Sequence, residues 1–113
     1  MVSSYVPEAG DIIFLDFDPQ AGREQAKRRP ALVLTDQRYN RASGLAVVCP
    51  LTSKRKPYPF ALPTIIDGVE GSVLVDQLKS LDWACRNAEF HSKAGPALLA
   101  KVRAYTGVLL GIR

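Results

Sequence analysis

The chain has 113 residues, 47% of them hydrophobic and 23% charged, with a net charge of +4 and a pI near 9.3. That length suits a single domain over residues 1–113 with one core, and the composition is that of a soluble globular protein. No apolar run reaches the ~20 residues of a membrane span, and the start, Met1 to Glu8, lacks the basic-then-apolar order of a secretory leader, so a cytoplasmic protein is expected.

Gly10-Asp11 opens the first strand, Ile12 to Phe17. Ile13, Leu15 and Phe17 share one face by the two-residue period, and Ile12, Phe14 and Asp16 share the other. Apolar residues on both faces predict burial on both. Asp18-Pro19-Gln20-Ala21-Gly22 is turn chemistry, and a charged loop without apolar rhythm runs from Asp18 to Arg28. Pro30 to Thr35 reads as the second strand. Asp36 to Ser43 is polar and suits a short helical turn closed by Gly44. Leu45 to Thr52 is the third strand, with Pro50 placed at an edge, a bulge or the strand's end because it has no amide hydrogen.

Further on, Phe60 to Ile66 is expected as a strand weakened by Pro63. Asp67-Gly68 and Glu70-Gly71 read as turns, Val73 to Leu78 as a strong strand and Asn87 to His91 as a weaker one. Pro96 is suited to the first turn of a helix, and Leu98, Val102, Tyr105 and Leu109 then fall on one stripe. Gly107 is a cost in that helix or marks its close approach to the strands. Many short strands plus a C-terminal helix predict a mainly β (α+β) fold, a small and strongly bent sheet or barrel. Cys49 and Cys85 are both expected to be buried, reduced thiols.

The positive charge is segregated. Nine basic residues lie between Arg23 and Lys56 (Arg23, Lys27, Arg28, Arg29, Arg38, Arg41, Lys54, Arg55, Lys56) against two acids, Glu24 and Asp36. Such a stretch suits an extended anionic partner, or else a solvated basic face. Arg29 stands where the charged loop enters a strand, and its planar, permanently charged fork matches phosphate oxygens. Glu24, among cations, stays ionised and is placed either to take a proton from a ribose hydroxyl or to form an ion pair with Arg23, Lys27 or Arg28. Thr52 and Ser53 end a strand beside a basic cluster, where hydroxyls can bind phosphate. His91 is the only histidine, so a two-imidazole mechanism cannot be built within one chain, and no zinc spacing or phosphate-cradling glycine loop is present. Phe60 and Trp83 are assigned to packing before base stacking.

The ordered pieces Gly10-Asp11-Ile12-Ile13-Phe14-Leu15-Asp16-Phe17-Asp18-Pro19, Gly22-Arg23-Glu24-Gln25, Arg29-Pro30-Ala31-Leu32-Val33-Leu34, Val48-Cys49-Pro50-Leu51-Thr52-Ser53 and Val75-Asp76-Gln77-Leu78-Lys79-Ser80-Leu81-Asp82-Trp83 resemble the MazF/PemK/Kid toxins over nearly the whole chain. The likeness is greatest to the MazF branch. It implies an SH3-like barrel homodimer, and metal-independent cleavage of single-stranded RNA leaving a 2′,3′-cyclic phosphate and a 5′-hydroxyl, with no cofactor. It also implies an antitoxin partner with an acidic, disordered tail. By the same resemblance Arg29, Thr52 and Glu24 are the catalytic candidates, and Asp16, Arg28, Lys56, Gln77, Lys79 and Arg86 are candidate RNA contacts. Arg28 departs from the family pattern and adds charge beside Arg29, and Asp76 is an alternative to Glu24. Two rival readings use the same fold: a non-enzymatic gyrase inhibitor of the CcdB type and a nuclease-dead RNA-binding domain. The first depends on a C-terminal Trp-Gly-Ile element, of which this chain has Gly111-Ile112 without the Trp.

Overall fold

The computed structural model describes residues 5–17, 28–55 and 57–112. Among them the chain forms β1 (Asp11–Asp16), β2 (Arg28–Val33), α1 (Gln37–Ser43), β3 (Leu45–Thr52), β4 (Ala61–Ile66), β5 (Val69–Leu74), a 3-10 turn (Val75–Gln77), β6 (Lys79–Asp82), β7 (Glu89–Lys93) and α2 (Pro96–Leu109). The strand order is β4-β5-β3-β2-β1-β7, with β6 also on β3, and every pairing is antiparallel.

β3 organises this sheet because it changes partner along its length. Leu45 to Val48 pair with β6, whereas Leu51 and Thr52 pair with β5. Pro50 falls in the interval between the two ladders, where its missing amide hydrogen is least costly. Pro63 is tolerated for a related reason: β4 is an edge strand. Asp67 and Gly68 form the two-residue β4–β5 turn, both with positive φ (54° and 77°), as a hairpin that follows the sheet's twist requires. The tip of that hairpin then reaches the opposite end of the strand order. Asp67 Oδ2 lies 2.9 Å from His91 Nε2 on β7, and the His91 ring packs on Phe14 at 5.3 Å. The sheet is therefore a curled half-barrel, latched at its margin.

The alternating apolar pattern of β1 to β3 fills two cores, one on each face. Ile12, Leu32, Leu34, Cys49, Leu51 and Val73 belong to the inner one, which Val102 of α2 covers. Ile13, Leu15, Phe17, Ala31, Val33 and Val48 belong to the other, against Leu81 and Trp83. Each fully buried aliphatic contributes about 1.5–3 kcal/mol, so these strands are the stable heart of the fold.

The helix is set by Gly95 at its N-cap and Pro96 in its first turn. Leu98, Val102 and Tyr105 pack inward as the stripe predicts, but Leu109 remains 36% exposed because the helix has run past the sheet. Gly107 does not mark a close approach: a Cβ there would meet nothing nearer than the Ile112 carbonyl oxygen at 3.8 Å.

Four other expectations need correction. Glu70-Gly71 is not a turn but lies inside β5, which begins at Val69. The run Val73 to Leu78 is not one strand: the chain leaves β5 at Leu74 and winds a 3-10 turn over Val75–Gln77, with Val75 buried. β2 starts at Arg28 rather than Pro30 because the ladder with β1 continues through Leu15–Arg29 to Asp16–Arg28. Cys85 is exposed, on the turn after β6, while Cys49 is buried as expected and burial pushes its thiol up to about 12.

Candidate active site

Two groups of the candidate residues meet where β1 ends and β2 begins. The first centres on Phe17, which is buried at 3% exposure. The Arg29 guanidinium carbon lies 5.6 Å from the centre of its ring and Lys79 Nζ lies 5.0 Å from it. Two cations on one ring are oriented partly by its π face and create a local positive potential. Arg29 stands opposite Leu15 in the β1–β2 ladder, and among the described residues its guanidinium forms no hydrogen bond or ion pair. Its donors are free for a ligand to that extent.

Thr52 reaches the same end of the sheet through β3. The β2–β3 register pairs Ala31 with Pro50 and Leu32 with Cys49. Continued two residues past its last pair, that register sets Arg29 opposite Thr52. The Thr52 hydroxyl accepts from the Lys54 amide at 3.3 Å, which turns the chain sharply after β3. A pocket of about 150 Å³ lies beside it, walled by Pro30, Leu51, Ile66, Val69 and Gly71.

The second group surrounds Asp16. Asn87 Nδ2 donates to Asp16 Oδ2 at 2.8 Å and Arg28 Nη1 donates to Oδ1 at 3.0 Å. Arg28 Nη2 also reaches the carbonyls of Phe14 (3.1 Å) and Asn87 (2.7 Å) and the Glu89 carboxylate (3.3 Å). Arg86 Nη1 donates to the carbonyls of Asp16 at 3.1 Å and Phe17 at 2.6 Å. Two arginines that the sequence offers as RNA contacts thus turn Nη1 and Nη2 of Arg28 and Nη1 of Arg86 to the protein itself. They fix the exit of β1, and with it the Phe17 ring on which Arg29 and Lys79 rest.

The Asn87 hydrogen bond, with Arg28 beside it, holds the Asp16 carboxyl below its usual value of 3.8. A depressed folded-state pKa means that the stability Asp16 contributes is present above the unfolded pKa and is lost as pH falls through the folded one. Asp16→Asn should therefore leave the melting temperature little changed in extreme acid and lower it near neutrality. A variant whose melting curve shows the same acid dependence as the parent would remove Asp16 from that account.

The remaining candidates are placed less informatively. Gln77 is exposed on the 3-10 turn, two residues before Lys79. Asp76 accepts from the Tyr58 hydroxyl at 3.0 Å, and desolvation together with this bond pushes the Tyr58 phenol up. Glu24 and Lys56 lie outside the described residues. Trp83 is a packing residue, its Nε1 donating to the Asn40 carbonyl at 3.0 Å. Among the described residues no three His, Cys, Asp or Glu side chains are grouped to hold a metal ion, and no helix is long and apolar enough to cross a membrane. Sequence reasoning missed Phe17 as the platform and Asn87 as the Asp16 donor. Asn87 carried one signal, since Asn is a residue that tolerates the left-handed backbone (φ 57°) it adopts there.

A curled antiparallel half-barrel with a C-terminal helix, bearing Arg29 and Thr52 at the ends of its central strands and Lys79 beside them, defines a small SH3-like barrel. The pattern of the PemK-like, MazF-like toxins of type II toxin–antitoxin systems matches residues 8–109, and the chain belongs to that family. It is 42% identical over 113 residues to the endoribonuclease toxin MazF of Escherichia coli K12, covering 98% of this chain and 100% of that protein. It superposes on the crystal structure of MazF from Deinococcus radiodurans with a TM-score of 0.85 at 49% identity, over 96% of this chain and 100% of that one. A MazE–MazF crystal structure (Form-II) from the same organism gives a TM-score of 0.87 at 49% identity, over 97% and 100% of the two chains.

Proposed function

We propose that this protein is an endoribonuclease toxin that cuts single-stranded RNA at a short sequence motif without a metal ion and is neutralised by a cognate antitoxin. The observation that carries the reading is the Arg29–Phe17–Lys79 arrangement in a chain of this family, with Thr52 at the end of β3. The reaction is in-line attack of a ribose 2′-hydroxyl on the adjacent phosphate. The 2′ oxygen loses its proton and bonds to phosphorus as the bond to the 5′ oxygen breaks, and the departing 5′ oxygen takes up a proton from water. A 2′,3′-cyclic phosphate remains on one fragment and a 5′-hydroxyl on the other.

Arg29 stabilises the charge that builds on the phosphorane, the largest single contribution available at such a site. It is a reluctant acid, with a pKa above ~12, so its role is electrostatic rather than proton transfer. Thr52 holds a phosphate oxygen and Lys79 adds charge. Glu24 takes the 2′-hydroxyl proton, and Asp76, already engaged by Tyr58, is the second choice. Gln77 and Lys56 contact the RNA strand. Asp16 keeps unused acceptor positions for a base amino group, whereas Arg28 and Arg86 act by fixing the strand end. The protein works in the cytoplasm as a homodimer. The antitoxin's acidic, disordered tail competes for the same cationic face, because it and RNA are both extended polyanions.

The test is incubation of the purified protein with a long single-stranded RNA in excess EDTA, followed by mapping of fragment ends. Discrete cuts bearing cyclic phosphates are expected. RNA left intact by the folded, antitoxin-free protein would overturn the nuclease reading and direct attention to gyrase inhibition or RNA binding alone.

A further inference from the structure

Three consecutive residues of β5 hold the turn that follows β3. Ser72 stands opposite Thr52 in the ladder, and its hydroxyl, on a residue only 1% exposed, donates to the Lys54 carbonyl at 3.0 Å. The Lys54 amide in turn donates to Thr52 Oγ1. Glu70 forms an ion pair with Arg55 at 2.9 Å, though both ends are exposed and the pair contributes little. Between them Gly71 passes so close to β3 that a Cβ would lie 2.1 Å from the Thr52 carbonyl oxygen and 3.2 Å from Ser53 Cα. Gly71 is not in the left-handed region, so the demand is for space and not for a special backbone conformation.

We propose that Gly71 and Ser72 are positioning residues for the nuclease: from β5 they set where the Thr52 hydroxyl stands relative to Arg29. This rests on the reading above that Thr52 holds the phosphate. β2 fixes one edge of β3 and carries Arg29, while β5 fixes the other edge just where β3 ends. Thr52 is thus held from the β5 side, two residues beyond the last β2–β3 pair, Ala31–Pro50. A methyl group at position 71 forces Thr52 and Ser53 away from β5. Loss of the Ser72 hydroxyl frees the Lys54 carbonyl and loosens the turn that the Thr52 side chain closes. Both changes alter the site without touching a group that meets RNA.

The experiment is single-turnover cleavage of a short single-stranded RNA spanning a mapped cut site, with KM and thermal melting measured alongside. The variants are Gly71→Ala, Ser72→Ala and Thr52→Ala, and each β5 change combined with Thr52→Ala. Displacements near 1 Å cost on the order of 100-fold in rate, so Gly71→Ala should lose about that much in kcat with KM little changed. Ser72→Ala should lose less, in the same direction. In the Thr52→Ala background neither change should lower the rate further. Full activity in both β5 variants while Thr52→Ala is impaired would overturn the positioning role and leave the site assignment standing. So would β5 effects of undiminished size on top of Thr52→Ala. Full activity in Thr52→Ala would instead overturn the assignment of Thr52 itself. Should Gly71→Ala fail to fold, the Ser72→Ala pair decides the matter.

Discussion

Arg29→Ala should abolish RNA cleavage while leaving the protein folded. Removing one preorganised donor that faces developing oxyanion charge lowers rates by about 100- to 1000-fold, and Arg29 offers a fork of donors rather than one. The loss should be at the upper end of that range or beyond it. Structural cost is small: among the described residues the guanidinium gives up only its contact with the Phe17 ring, worth roughly 0.5–1 kcal/mol at a partly exposed site. The melting temperature should fall by a few degrees at most. Arg29→Lys should restore little, because a lysine keeps the charge without the planar pair of donors. Mapped cleavage of a long RNA by all three proteins checks this. Undiminished cutting by Arg29→Ala would remove Arg29 from the chemistry.

The largest stability effect should come from a residue with no part in the reaction. Asn40 is fully buried in α1 and joins three segments. Its Nδ2 donates to the carbonyls of Pro7 (2.8 Å) and Thr35 (2.9 Å), and its Oδ1 accepts from Thr35 Oγ1 (2.6 Å). That hydroxyl itself accepts from the Val47 amide on β3. Truncation to alanine leaves these partners buried with fewer bonds, at about 1–3 kcal/mol for each unsatisfied group, so Asn40→Ala should lose about 3 kcal/mol or more. Asn40→Asp should be no better, since it trades two donors for a buried charge. Urea denaturation gives the magnitude. The folded fraction should still cut RNA at the parent rate, and a loss under about 1 kcal/mol would mean that water replaces the side chain.

Much of this architecture was legible in the sequence where one physical demand acted alone. β1, β3 and α2 follow from alternation, from the apolar stripe and from Pro96, and the β4–β5 turn follows from Asp67-Gly68. The failures occur where a residue type has two uses. Gly71 reads as a turn former, but it is glycine because β3 leaves no room for a side chain. Val75 continues an apolar run that looks like a strand, yet the chain winds there into a 3-10 turn with Val75 buried. β6 has little apolar alternation, since only Leu81 is buried, and so it escaped notice. At the site, the positions of Arg29 and Thr52 were legible because each stands at the mouth of a buried strand. The hydrogen-bond partners of Arg28 and Arg86 were not, because nothing in a sequence says whether a guanidinium faces solvent or its own backbone. Here both face the backbone of β1.

That internal use of two arginines bears on how such proteins diversify. Asp16 and Arg28 are ladder partners, bridged by their side chains, and Arg86 secures Phe17 just beyond. Residues 18–27 therefore join two ends whose separation the sheet has already set. A connection between fixed ends can change length at small cost, since doubling it adds only about 0.6 kcal/mol. Insertions, deletions and substitutions can accumulate there without renegotiating the fold or moving Arg29. The barrel acts as a frame with an exchangeable insert: Glu24 travels with that insert, whereas Arg29 and Thr52 stay on the sheet.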